Sequence, residues 1–161
     1  MTLQNVFTWL LFIHVLAAVV AIGPNFAYST IRSMGRTEPQ HANFATRVAH
    51  TISDRLVYPV GLVIPLTGLA MILVARIDLT SRTYWWLDLA MVIYTAVYLY
   101  SFFFQRQLVG RIISLTSTPP APGAAISPQV PVLARRAQRG GTVMLILLGL
   151  VVFLMVMKPQ I

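Results

Sequence analysis

Four apolar runs, at residues 6–28, 56–75, 85–104 and 142–157, are separated by short arginine-bearing segments and dominate this chain of 161 residues. About 20 apolar residues, at roughly 1.5 Å of helix rise each, cross the roughly 30 Å hydrocarbon core of a bilayer. The first three runs are long enough, and the fourth becomes so if its helix starts near Arg139. The pattern therefore predicts an all-α, four-transmembrane-helix bundle. It forms a single integral membrane domain over residues 1–161, with spans at about 6–28, 56–75, 85–104 and 140–157. Composition points the same way. At 57% hydrophobic and 10% charged residues, a soluble domain of this size could not cover its apolar surface.

The net charge of +8 has its source in loops beside apolar spans. There, topology and lipid headgroups account for cations better than nucleic acid does, so the expected partner is the lipid bilayer and no nucleic acid. Nine cations (Arg32, Arg36, Arg47, Arg55, Arg106, Arg111, Arg135, Arg136 and Arg139) fall between spans one and two or three and four. Three (Arg76, Arg82 and Lys158) fall on the opposite side. The positive-inside rule puts the nine in the cytoplasm and both termini outside. The first run has no basic segment before it and reads as a retained helix, not a cleaved signal. The absence of cysteine excludes disulfides, thiolate catalysis and iron–sulfur clusters.

Within the spans, Ala17 and Ala21 form a small-residue face suited to close helix contact, and Gly23-Pro24 is expected to bend or end the first helix. Residues 41–52 place Phe44, Val48 and Ile52 at helical spacing, with Ala45 and Ala49 beside them. They predict a short amphipathic cytoplasmic helix before the second span, which Ser53 or Asp54 could cap. Pro65 falls near mid-membrane. It removes one amide donor and frees the carbonyl of Gly61, which then needs a partner from a neighbouring helix or water. Tyr84, Trp85 and Trp86 read as an interfacial aromatic belt. Residues 116–131, rich in proline, read as an extended tether.

His14 is the one histidine inside a span, and an ionisable group in lipid is a functional candidate. Counting helix rise from the outer ends places Thr67, Gly68, Tyr94 and Gly149 at its depth. One reading makes His14 an axial ligand of haem b, with Tyr94, Met71 and Met91 near enough in depth to line or complete the site. The other makes it a core histidine bonded to Tyr94 or to the carbonyl that Pro65 frees. His14 with methionines would also suit Cu(I), although the spacing follows no metal motif. His41 and His50 lie about 20 Å away at the cytoplasmic side by the same arithmetic. Asp88 is either a proton or cation relay or an acid favoured by a helix N-terminus, neutralised by Arg76 or Arg82. Asp54-Arg55 reads as a local surface pair. No Ser/His/Asp spacing, phosphate-binding glycine loop, HExxH or carboxylate pair at helical spacing is present.

Ile13-His14 and Gly23, in FIHVLAAVVAIGPNF, resemble the "LHxxxA…G" first helix of a bacterial family of small four-helix predicted integral membrane proteins of unknown function. Thr67–Leu69 (TGL) and the closing LMVMKP at Leu154–Pro159 resemble its second helix and its "LMVxKP" end. The resemblance implies a fold, a bacterial inner-membrane location and no particular activity. The chain is also distantly similar to copper-resistance D-type membrane proteins and to J-type protoporphyrinogen oxidase, which share a four-helix core and a first-helix histidine. The oxidase binds haem b, which implies His14 as the matching ligand. Its buried mid-chain lysine has no counterpart, since Lys158 is the single lysine.

The function expected from these readings is non-enzymatic: an accessory subunit of a larger membrane complex, with other membrane-protein subunits as partners. A haem-b redox protein and a small transporter built on the Pro65 break are the alternatives.

Overall fold

The computed structural model describes residues 2–117 and 127–159. Helices α1 (Leu3–Ile22) and α2 (Pro24–Thr37) follow one another across Gly23. A turn at Pro39–His41 leads into α3 (Ala42–Ile52), which passes through a π turn at Ser53–Val57 into α4 (Tyr58–Ala75). After a loop come α5 (Trp85–Tyr100), a second π turn at Ser101–Gln105, and α6 (Arg106–Leu115). The last helix is α7 (Gln129–Met157). The result is four long apolar helices, Leu3–Gly35, Ala42–Ala75, Arg82–Leu115 and Gln129–Met157, each long and apolar enough to cross a membrane.

The helices exceed what a bilayer needs. Thirty-four residues span about 50 Å, some 20 Å more than the hydrocarbon core. The surplus lies at the arginine-rich end, where α2, α3, α6 and the first turns of α7 carry the polar residues. Two sequence expectations change accordingly. Residues 41–52 are helical, but Ser53 and Asp54 cap nothing, because the helix runs on through them. The face turned inward is also the small and polar one (Ala45, Thr46, Ala49, His50), while Phe44 is exposed. The fourth helix starts at Gln129 and takes Pro131 into its first turn, where its missing amide costs little. Residues 129–131 of the expected tether are thus helical, and its residues 118–126 lie outside the described ones.

Antiparallel packing joins α1 to α4, where Ala17 and Ala21 bury against Ile64. The third and fourth helices pack likewise, and Ile72, Trp86, Leu87, Ala90, Val151 and Leu154 form a shared core. Trp86 therefore belongs to that core and not to an interfacial belt, whereas Trp9 is 59% exposed. The same core puts the 76–84 loop and the C-terminal end of α7 on one side of the bundle. In that loop Asp78 accepts hydrogen bonds from the hydroxyl and amide of Thr80, which hold its carboxyl below the usual carboxylate range.

Candidate functional site

Two groups of polar residues occupy the interior. The first surrounds His14. Its Nδ1 lies 2.9 Å from Thr67 Oγ1, and its Cε1 is 3.4 Å from where a Cβ on Gly68 would stand. The Thr67 hydroxyl also lies 2.7 Å from the Val63 carbonyl and 3.0 Å from that of Ile64. A threonine has one hydrogen to give, and the helix carbonyls take it. With the hydroxyl hydrogen on a carbonyl, the donor to Thr67 would be Nδ1–H, and Nε2 would then carry the lone pair.

Of the residues expected at the depth of His14, Thr67 and Gly68 meet it. Tyr94 does not. Its hydroxyl donates to the Gly61 carbonyl at 2.7 Å, the acceptor that Pro65 leaves without its helical donor. Met91 packs against the core containing Trp86, and Met71 is half-buried on α4. Gly149 faces open space. His14, Met71 and Met91 line none of the three cavities of the bundle described here. Among the described residues His14 meets Thr67 and Gly68, and no polar contact joins it to a second haem ligand. No cluster of three or more His, Asp or Glu suited to a metal occurs among the described residues.

The second group lies in the arginine-rich half. All four long helices contribute to a chamber of about 310 Å³. Its walls carry Asn25, Tyr28 and Arg32 from the first helix, and Asn43, Thr46, His50, Ser53 and Tyr58 from the second. Ser101, Gln105 and Arg106 come from the third, and Gln138 from the fourth. The two π turns make this possible. In each, the opening serine carbonyl accepts the amide five residues on, Tyr58 to Ser53 and Arg106 to Ser101. Such a turn inserts one extra residue and re-aims the side chains around it. Tyr28 and Ser53 hydroxyls then lie 2.8 Å apart, and Tyr58 donates to the Ser101 carbonyl at 3.1 Å.

Behind these, Tyr98 donates to the Tyr58 carbonyl at 3.0 Å, and the Tyr94, Tyr98 and Phe102 rings stack in sequence. A small cavity of about 50 Å³, lined by Asn25, Tyr58, Gly61 and Tyr94, extends the chamber toward mid-bundle. At the mouth, Arg106 holds Asp54 through two bonds of 2.9 and 3.3 Å, with His50 3.6 Å from the same carboxylate. The local pairing of Asp54 with Arg55 expected from sequence gives way to this bridge between helices. Asp88 lies in the first turn of α5, and no ion pair links it to Arg76 or Arg82 among the described residues.

Sequence reasoning centred on His14 passed over the chamber. Its signal was present as Asn25, Tyr28 and Arg32, one face at turn spacing, continuing beyond the apolar stretch. The serines that open the two π turns gave no signal, because nothing local distinguishes them.

A family model, described as predicted integral membrane protein (DUF2269), matches residues 8–159. No curated protein and no solved structure matches the chain. With four long apolar helices and a family match over almost its whole length, this multi-pass membrane protein belongs to the DUF2269 family of predicted integral membrane proteins.

Proposed function

We propose that the protein is a non-enzymatic subunit of the bacterial inner membrane that holds a small anionic organic molecule in the chamber among its four helices. One observation carries this reading. Hydroxyl, amide and guanidinium groups from four separate helices converge on about 310 Å³. That volume suits a small metabolite. Arg32 gives the chamber its sign. Its Nε donates to the Tyr28 carbonyl at 3.2 Å, and its terminal nitrogens lie beside Gly141 of the fourth helix. The serine hydroxyls engage tyrosines or carbonyls and no imidazole, which favours binding over nucleophilic chemistry. An accessory place beside a larger complex is the setting in which such a subunit works. The Pro65 break carries no transport step in this reading, because Tyr94 seals it.

The test is thermal unfolding of the purified protein against C4–C6 dicarboxylates and their neutral diamides. A stabilisation by at least one dicarboxylate, absent with its diamide and absent in Arg32→Gln, is expected. No dicarboxylate response in the wild type would overturn the reading.

A second reading keeps haem b, on one specific observation: His14 Nδ1 lies 2.9 Å from Thr67 Oγ1, a contact that would orient the ring and leave Nε2 to ligate. His14 would hold the iron, which would supply one-electron chemistry. An absorption spectrum of the purified protein showing a Soret band that disappears in His14→Ala is the expected result. A haem-free preparation from haem-replete cells removes this reading and leaves the chamber untouched.

A further inference from the structure

A second concavity lies on the outside of the bundle, between the third helix and the fourth. It measures about 880 Å³, with Ala96, Val97 and Tyr100 on one wall and Val143, Met144 and Leu147 on the other. At one end stand Arg135, Arg136 and Arg139. Arg139 lies three and four residues beyond Arg136 and Arg135 on α7, so it neighbours both within one helical turn, and all three line the groove. From Arg135 to Leu147 the helix rises about 18 Å, and the lining changes over that distance from cationic to wholly apolar.

Among the described residues the three cations meet no counter-charge. The chain contains four acidic residues. Glu38 lies beside His41, Asp54 is held by Arg106, Asp78 is bonded to Thr80, and Asp88 opens α5 at the other end of the bundle. Among the described residues no ion pair reaches Arg135, Arg136 or Arg139. Three clustered guanidiniums beside an apolar wall call for an anion that also carries an apolar tail. Tyr100 stands where the two parts of the groove join, with its hydroxyl 2.9 Å from the position of a Cβ on Gly140.

We infer that this groove is a binding site for an anionic phospholipid. The headgroup phosphate sits among Arg135, Arg136 and Arg139, and an acyl chain lies along Ala96, Val143 and Leu147. The glycerol region falls at the level of Tyr100. Cationic pockets between membrane helices on the positive side recognise such headgroups, and each cation contributes on the order of 1 kcal/mol at the surface. This site shares only Met144 with the lining of the chamber and does not depend on the chamber's occupant.

Native mass spectrometry of protein released from bilayers of mixed phosphatidylglycerol and phosphatidylcholine tests the inference. The wild type is expected to retain phosphatidylglycerol in preference to phosphatidylcholine. The triple variant R135Q/R136Q/R139Q should bind it about a hundredfold more weakly, as three cations at that surface value imply. Ala96→Trp, which fills the groove without changing charge, should also lose the retained lipid while keeping its helical circular dichroism. The triple variant R47Q/R55Q/R111Q, with the same charge loss elsewhere at that end, should retain it. Equal retention of the two lipids by the wild type would overturn the inference, as would equal loss in the two triple variants. Displacement of the lipid by soluble glycerol phosphate would count against it too, since the groove's apolar half would then contribute nothing.

Discussion

Tyr94 gives its hydroxyl hydrogen to the carbonyl of Gly61 across 2.7 Å, from one helix to the next. The carbonyl is available because Pro65, four residues on, has no amide hydrogen to offer it. In lipid a lost partner is replaced only by another protein group or by water entering the small cavity beside Gly61. Tyr94→Phe should therefore destabilise the protein by about 1 kcal/mol, between the average for interhelical bonds in membranes and the cost of an orphaned buried acceptor. In a Pro65→Ala background the restored amide takes the carbonyl, and Tyr94→Phe should then cost less than half as much. Reversible unfolding in mixed micelles, run as a double-mutant cycle, measures the difference. Equal costs in both backgrounds would show that the two residues are not coupled.

The π turns differ in what holds them. Tyr58 reaches the backbone carbonyl of Ser101 at 3.1 Å and its hydroxyl at 3.3 Å. Ser101→Ala keeps the first of these bonds, whereas Tyr58→Phe removes both. Unfolding should show the tyrosine variant weaker by about 1 kcal/mol and the serine variant changed by less than half of that. The opposite order would mean that the side-chain contact carries the link.

Glycines sort by what surrounds them. A Cβ on Gly61 would stand 3.0 Å from the Tyr98 ring and 3.3 Å from the Tyr94 hydroxyl, while one on Gly149 would meet nothing within 4 Å. Gly149→Ala should raise the melting temperature, through a helix preference worth roughly 0.5–1 kcal/mol. Gly61→Ala should lower it, because two tyrosines must move. A melting temperature raised by both substitutions would contradict the packing at Gly61.

Orientation rests on charge. With nine cations at one end of the bundle and three at the other, a C-terminal alkaline phosphatase fusion should be active and a C-terminal green fluorescent protein fusion dark in a Gram-negative host. A fluorescent fusion without phosphatase activity would reverse the orientation. It would also turn the chamber's mouth outward.

The number of helices and the need of the Gly61 carbonyl were legible in the sequence because lipid imposes both. Apolar length is a one-dimensional property, and proline deletes a donor at a known offset. Helix rise puts Thr67 and Gly68 at the depth of His14, but it puts Tyr94 and Gly149 there too, and the partner expected for the imidazole was Tyr94 or the carbonyl freed by Pro65, not Thr67. The partner of Gly61 and the pairing of Asp54 with Arg106 do not follow from helix rise either. Each depends on the rotation of one helix about its axis relative to another, and in α3 and α6 the π turns shift that rotation. Those turns are also why the chamber escaped notice. Its residues lie on four long helices, and two of these change phase at a π turn in its wall.

A binding chamber requires water-accessible polar space inside the arginine-rich half of the bundle. The chain has no cysteine, so single-cysteine variants report accessibility without background. Ser101→Cys, on the chamber wall, should react with a negatively charged, membrane-impermeant thiosulfonate applied from the arginine-rich side and should be silent from the other. Ala90→Cys, at a position with 0% exposure in the apolar core, should be silent from both. A cysteine at 101 as unreactive as one at 90 would contradict the claim.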